Sequence, residues 1–213
     1  PPVRLGPRHK ARVLFVLAPD PVGVGEDGPP PHPVEPPATR GASRGLQGIR
    51  PADGNETVAA FRAAVGHDDG PTVIVLTRQG VPVCTDGSAV ERGAGIVLDA
   101  ERPALVIVAT GSEVWVALDA AKQLTADGIA TRVVSLPSWD RLLAQGPEYR
   151  ASLFPDGVPV LSVEAGTTFG WAEFADASIG IDRFGVSAPG AEVLQRLGIN
   201  VEHVVETARS LVG

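Results

Sequence analysis

Methionine is absent from the 213 residues, cysteine occurs once, and aromatic residues make up only 5%. The single cysteine, Cys84, excludes an intramolecular disulfide framework and any cysteine-based zinc site. A soluble cytoplasmic protein is the economical expectation. So few aromatics mean that the core must be built from Val, Leu, Ile and Ala. No apolar run approaches the roughly 18 residues of a membrane span. Basic residues are outnumbered 18 to 25, giving a net charge of −7, and just two of them, Lys10 and Lys122, are lysine. That balance argues against a nucleic-acid-binding protein, whose electrostatic footprint is basic. Without a methionine and with Pro1-Pro2 in front, the chain lacks an initiator and is expected to be processed or a fragment. Residues 4–18 imitate a signal peptide, but the apolar stretch Val13–Ala18 is short and runs into Pro19-Asp20-Pro21 with no small-residue cleavage site.

Hydrophobic residues make up 44%, with a mean hydropathy of +0.12, enough for a real core in one large domain or two small ones. Proline is uneven, with 12 of the 20 lying in residues 1–51. Since proline fixes φ and removes a donor, residues 19–48 are expected to be irregular and mobile after one short strand, Val13–Leu17. Order is expected from residue 50. The spacing of Val58, Phe61, Ala64 and Val65 predicts a helix over 54–65, capped by Asn55. Thr72–Thr77 reads as a buried strand and 79–92 as a linker. Strands are predicted at Ala104–Ala109, Thr131–Leu136 and Val158–Val163. A helix is predicted over 113–126, and two short ones between 191 and 212 split at Gly198. Strands alternating with helices imply an α/β fold with a mostly parallel sheet.

Three local signals bear on chemistry. Thr110-Gly111-Ser112-Glu113 joins a strand to a helix, where free N–H groups could hold an anion. The preferred reading is structural, a capping box with Thr110 as cap and Glu113 three residues on, because the full glycine pattern of a dinucleotide site is absent. Gly23–Gly28 is a glycine-rich acidic loop, equally well read as a ligand contact through Glu26 and Asp27 or as a solvated turn. Arg78 directly follows a buried strand, the end at which open α/β sheets bind ligands, and its planar fork suits phosphate; a plain surface arginine is the even alternative. The four histidines, at 9, 32, 67 and 203, show no metal-ligand spacing.

Taken together, five segments resemble the transketolase family. They are Arg50-Pro51-Ala52-Asp53-Gly54-Asn55-Glu56-Thr57, Leu76-Thr77-Arg78-Gln79, Ala109-Thr110-Gly111-Ser112-Glu113-Val114, Val134-Ser135-Leu136-Pro137 and the run from Gly180 to Gly190. The second has Gly80 where the family usually has Asn. The resemblance implies the last third of such an enzyme: the C-terminal part of the pyrimidine-binding domain over 1–88 and the C-terminal domain over 89–213. It also implies transfer of a two-carbon ketol unit between sugar phosphates with thiamine diphosphate and Mg. The residues that bind that cofactor would lie outside this chain, leaving no catalytic, cofactor or metal residue within it. Two substrate contacts carry over: Asp27 to a donor-sugar hydroxyl and Arg78 to the substrate phosphate. A homodimer or a split-subunit partner is implied, with neither nucleic acid nor membrane.

The departures matter. The family's Thr-His-Asp-Ser is replaced by Ala18-Pro19-Asp20-Pro21, and its Gly-Pro-Thr-His-Gln-Pro by Gly28-Pro29-Pro30-Pro31-His32-Pro33. Both substrate-contacting histidines thus become proline, at 19 and 31. The chain alone is expected to be inactive, and a non-catalytic module acting by association or regulation is the alternative.

Overall fold

The computed structural model describes residues 12–20, 45–77, 79–182 and 190–213. Two sheets are formed in chain order. The first takes strands β1 (Leu14–Asp20), β2 (Gln47–Ile49) and β3 (Thr72–Thr77), all parallel, in the order β1-β3-β2. Helix α1 (Gly54–Val65) connects β2 to β3 and covers one face, where Ile49, Ala60 and Ile74 pack with Val90 of the short helix α2 (Ala89–Arg92). The opposite face holds Leu46, Val73 and Val75 against Phe15 and Leu17.

The second sheet takes β4 (Gly95–Leu98), β5 (Leu105–Ala109), β6 (Thr131–Ser135), β7 (Val160–Val163) and β8 (Ala177–Ile179) in the order β4-β6-β5-β7-β8. All pairs are parallel except β4 with β6. Strands buried on both faces read as continuous apolar runs, and Leu-Val-Ile-Val-Ala of β5 shows why. Leu105 and Ile107 face α3 (Glu113–Ala126) and α7 (Val201–Val212). Val106 and Val108 face Leu142 of α4 (Trp139–Leu143), Leu153 of α5 (Pro147–Leu153) and Trp171. Helix α6 (Gly190–Leu197) precedes α7. The α/β class with mostly parallel sheets is as the sequence implies.

Four expectations need correction. Strand β1 continues through Pro19 to Asp20. Leu17 pairs with Val75 and Asp20 with Thr77, so the extra residue bulges out of the ladder, and among the described residues β1 is an edge, where a missing N–H is tolerated. Order also resumes at β2, before residue 50. The 79–92 stretch is not merely a linker, since it ends in α2. The cap of α1 is Asp53, whose carboxylate accepts from Glu56 N; Asn55 sits in the first turn and donates to Thr85 O. The rest of the stretch expected to be irregular, residues 21–44, lies outside the described residues.

Candidate functional site

Asp27 and Arg78, the two expected substrate contacts, lie outside the described residues, as do Pro21 and Pro31. Arg78 is the residue after Thr77, with which β3 ends. What the structure does bring together are the motifs themselves, at a buried seam between the two sheets.

Arg50 leaves the end of β2 and turns its guanidinium into the strand-to-helix turn after β5. Its Nη1 donates to Thr110 O at 2.8 Å, to Thr110 Oγ1 at 2.7 Å and to the Glu113 carboxylate. The turn has to be glycine at 111. There φ is +56°, and a Cβ would come within 2.5 Å of the Arg50 guanidinium carbon. Glu113 therefore does not close a capping box onto Thr110. Ser112 precedes the helix with no side-chain cap bond and donates to Glu113 Oε1, while Ala165 N donates to Oε2. The anion position of this turn is filled by the protein's own carboxylate and its arginine.

Glu164, after β7, is the second acid at the seam. Thr110 Oγ1 donates to its Oε1 at 2.8 Å and Trp171 Nε1 to its Oε2 at 2.9 Å, with Arg50 Nη1 at 3.9 Å. Burial pushes its carboxyl upward against the pull of Arg50. A third acid, Glu56 of α1, crosses to the second sheet, accepting from Ser135 Oγ at 2.7 Å and from Ala52 N at 2.8 Å. It is fully buried. Desolvation outweighs those bonds and raises its carboxyl to about 7.

Backbone bonds stitch the same seam: Arg50 N to Pro137 O, Gly111 N to Arg50 O and Gly48 N to Asp140 Oδ2. Asp53 fastens the returning chain by accepting from Cys84 N, Thr85 N and Thr85 Oγ1. Burial works to raise its carboxyl, but these bonds and that from Glu56 N hold it below the usual carboxylate range. Beside it, burial and the Asp53 and Glu56 charges push the Cys84 thiol up to about 11, so it stays protonated and unreactive. In the fifth motif Asp182 accepts from Thr167 Oγ1, Thr168 N and Thr168 Oγ1, closing the loop after β7 onto the end of β8.

The buried seam acids are committed to protein partners. Among the described residues no three His, Cys, Asp or Glu side chains converge as a metal site requires.

Two family models account for most of this chain. Residues 3–83 match the transketolase pyrimidine-binding domain and residues 93–200 the transketolase-like C-terminal domain. The chain belongs to the transketolase family. It is 41% identical to the transketolase of Halalkalibacterium halodurans, aligning over its whole length with 33% of that protein. The solved transketolase from Leishmania mexicana superposes with a TM-score of 0.94 at 42% identity, covering 99% of this chain and 32% of that one. A split-gene transketolase, described as an inactive β4 tetramer, shares the fold with a TM-score of 0.72 at 22% identity, covering 93% of this chain and 65% of that one. The chain thus spans about a third of the length of its full-length transketolase relatives.

The sequence shows Arg50, Glu56 and Ser135 only as parts of motifs, without a task, and gives Glu113 only a capping one. The signal was present: Arg50 and Glu56 sit in an otherwise apolar or helix-starting context, and charges there need partners. Where those partners lie depends on contacts 60 or so residues away, such as Arg50 to Thr110 and Arg50 to Glu113.

Proposed function

We propose that this chain is the substrate-phosphate and interdomain portion of a thiamine-diphosphate-dependent ketol transferase, inactive until a polypeptide carrying the upstream domains completes it. The observation that carries the reading is the pair of family models in tandem, joined by a seam built from the family's own motifs. The domain division proposed is 1–88 and 89–213.

Thiamine diphosphate, when bound, supplies the electron sink for breaking the bond beside a ketose carbonyl. Among the described residues no three His, Cys, Asp or Glu side chains converge to hold its cation, and the residues that would hold its diphosphate belong to the upstream domains. Arg78, placed by sequence after the parallel strand β3, would grip the substrate phosphate, and Asp27 would accept a donor-sugar hydroxyl. A separate upstream chain would supply the rest of the enzyme in a split-subunit assembly, and pairing of two copies of this chain is the other association proposed.

The second reading, a non-catalytic module, is favoured by one observation, proline at 19 and 31 where the family carries substrate histidines. Co-expression with the upstream domains of a transketolase separates the two. Under the proposed reading, Pro19→His with Pro31→His raises ketol transfer above the parent complex. Arg78→Ala in that background weakens use of phosphorylated donors about ten- to a hundredfold, as loss of a charge-assisted contact implies, and spares unphosphorylated ones. A complex that forms yet stays inactive after both reversions favours the module.

A further inference from the structure

The seam between the two sheets carries its charge unevenly. Beside β5 the acids have a cation, since Arg50 Nη1 pairs with Glu113 and lies 3.9 Å from Glu164 Oε1. Beside β6 the acid has none among the described residues. Glu56 carries α1 across to the second sheet, accepting at Oε1 from Ser135 Oγ at 2.7 Å and at Oε2 from Ala52 N at 2.8 Å. Glu56 and Ser135 are both fully buried, so the contact is closed to bulk water.

The groups around Glu56 make the missing cation matter. Asp53, which caps α1, and Asp86, on the returning chain, both act on it as like charges. A helix N-terminus favours one negative charge, but Asp53 already supplies it, accepting from Glu56 N. Cys84 stands beside both acids and, with its thiol pushed up to about 11, brings no charge. Asp140 of α4 adds another acid to the seam, on Gly48 N. The cations of the neighbouring elements are committed elsewhere. Arg50 turns to Thr110 and Glu113, Arg132 of β6 pairs with Asp99, and Arg141 of α4 donates to Glu91 O. On α2, Glu91 and Arg92 are exposed, with Arg92 over the Tyr149 ring, and Arg62 sits in the last turn of α1. An ionised Glu56 is therefore a buried charge without a counter-charge, which is relieved by a proton or by water.

We infer that the Glu56–Ser135 contact is a proton-operated latch between the two regions, closed while the Glu56 carboxyl is protonated and released when it ionises. A hydroxyl donates or accepts, so Ser135 meets either form; what ionisation adds is the demand for water. Asp53 holds Cys84 N and Thr85 N, so that chain leaves together with the start of α1. Arg50 keeps the other half of the seam joined, which makes the opening local. Neither Asp27 nor Arg78 takes part, so the inference stands whether or not the ketol-transfer reading holds.

The sign follows from linkage. Burial raises the closed carboxyl to about 7, against an ordinary 4.5 once water reaches it. The open fraction thus climbs with pH between those values and levels off above them.

Cys84 reports the opening, because it is the single cysteine and packs, half-buried, against the core of the second region. The test follows its alkylation by iodoacetamide from pH 5 to 8 in the 213-residue chain and in Glu56→Gln. Dividing the first rate by the second cancels the thiolate fraction. The quotient should rise about tenfold between pH 6 and 8 and then level off. It should depend little on low urea, as a local opening does. Ser135→Ala, which takes a donor from the ionised carboxyl, should move the levelling-off upward by about one pH unit. Asp127→Asn, on an exposed ion pair with Arg209, should change nothing. If Glu56→Gln does not fold, the Ala52 and Thr85 amides of the unaltered chain serve instead. Their protection, corrected for intrinsic exchange, should fall by the same factor over the same range. A Glu56 that acted through its charge alone would do the reverse, raising the Cys84 pKa and lowering the quotient. A quotient or protection that stays flat or moves that way, or an opening as steep in urea as global unfolding, overturns the inference.

Discussion

The two sheets solve the burial problem differently. In the second region β5 is buried on both faces, and α3 and α7 cover one side while α4, α5 and the Trp171 turn cover the other. In the first region the described residues leave Leu14 and Val16 of β1 and Val58, Phe61 and Val65 of α1 at least a third exposed. What holds that smaller region is polar. Arg50, Asp53 and Glu56 reach out of its loop and helix start into the second sheet or the chain leading to it. The comparison teaches that the second region carries its own core, while the first is anchored through charged groups whose partners lie elsewhere.

The largest break in this comparison is removal of the first region altogether. Residues 89–213 should fold alone, with slow amide exchange through Leu105–Ala109 and Thr131–Ser135, because their core contacts, Ala52 and Cys84 aside, lie within the fragment. Val90 would lose Ile49, Ala60 and Ile74 and stand exposed at its start. Broad, unprotected exchange across the fragment would show that the second region leans on the first as well.

Next is Arg50→Ala in the full chain. It leaves Glu113 and the buried Glu164 without their cation, and breaking a buried pair from one side costs about 3–5 kcal/mol. The loss should fall on the first region, so urea unfolding followed by amide exchange should show β3 opening before β5. A loss spread equally over both sheets would contradict the division of labour.

These dependencies set what the sequence made legible. Thr72–Thr77, Leu105–Ala109 and the 113–126 helix stand out because each is a run whose burial or periodicity is written locally. Strands β4 and β8 do not. Gly95–Leu98 is a half-exposed antiparallel edge and Ala177–Ile179 has three residues, so neither leaves a periodic trace. The apolar positions that announced α1 were the misleading ones. Val58, Phe61 and Val65 gave the correct helix but face outward, while its buried positions are Ala60 and the charged Glu56. The motifs located the family; they could not reveal that three of them meet at one seam.

The Glu56 carboxyl sharpens the comparison through pH. Its folded pKa of about 7 stands above the ordinary 4.5. The folded chain therefore keeps a proton that the unfolded chain releases. Its stabilising effect is fully present below about pH 4.5 and is lost as pH rises through 7, a change of about 3 kcal/mol. Asp53, held low, acts oppositely, its contribution being lost as pH falls below the usual carboxylate range, so the two windows do not overlap. Glu56→Gln, which can still accept from Ala52 N and bond Ser135, should flatten the stability profile between pH 5 and 8. An unchanged slope would mean that another group, Glu164 first among them, dominates the seam's titration.

The smallest expected effect comes from the exposed face of α1. Val65 is 73% exposed, so Val65→Ser removes almost no buried area. Valine and serine also differ little in helix propensity. The change in unfolding free energy should stay within about 0.5 kcal/mol, as for surface substitutions away from special features. Val75→Ser on the same region's sheet should cost several times more, since Val75 is buried against Val73 and Leu46 and its replacement adds a hydroxyl to an apolar cluster. The pair is measured by urea unfolding at one pH. If Val65→Ser proves as costly as Val75→Ser, the outer face of α1 is covered in solution, and the first region is held by more than its polar seam.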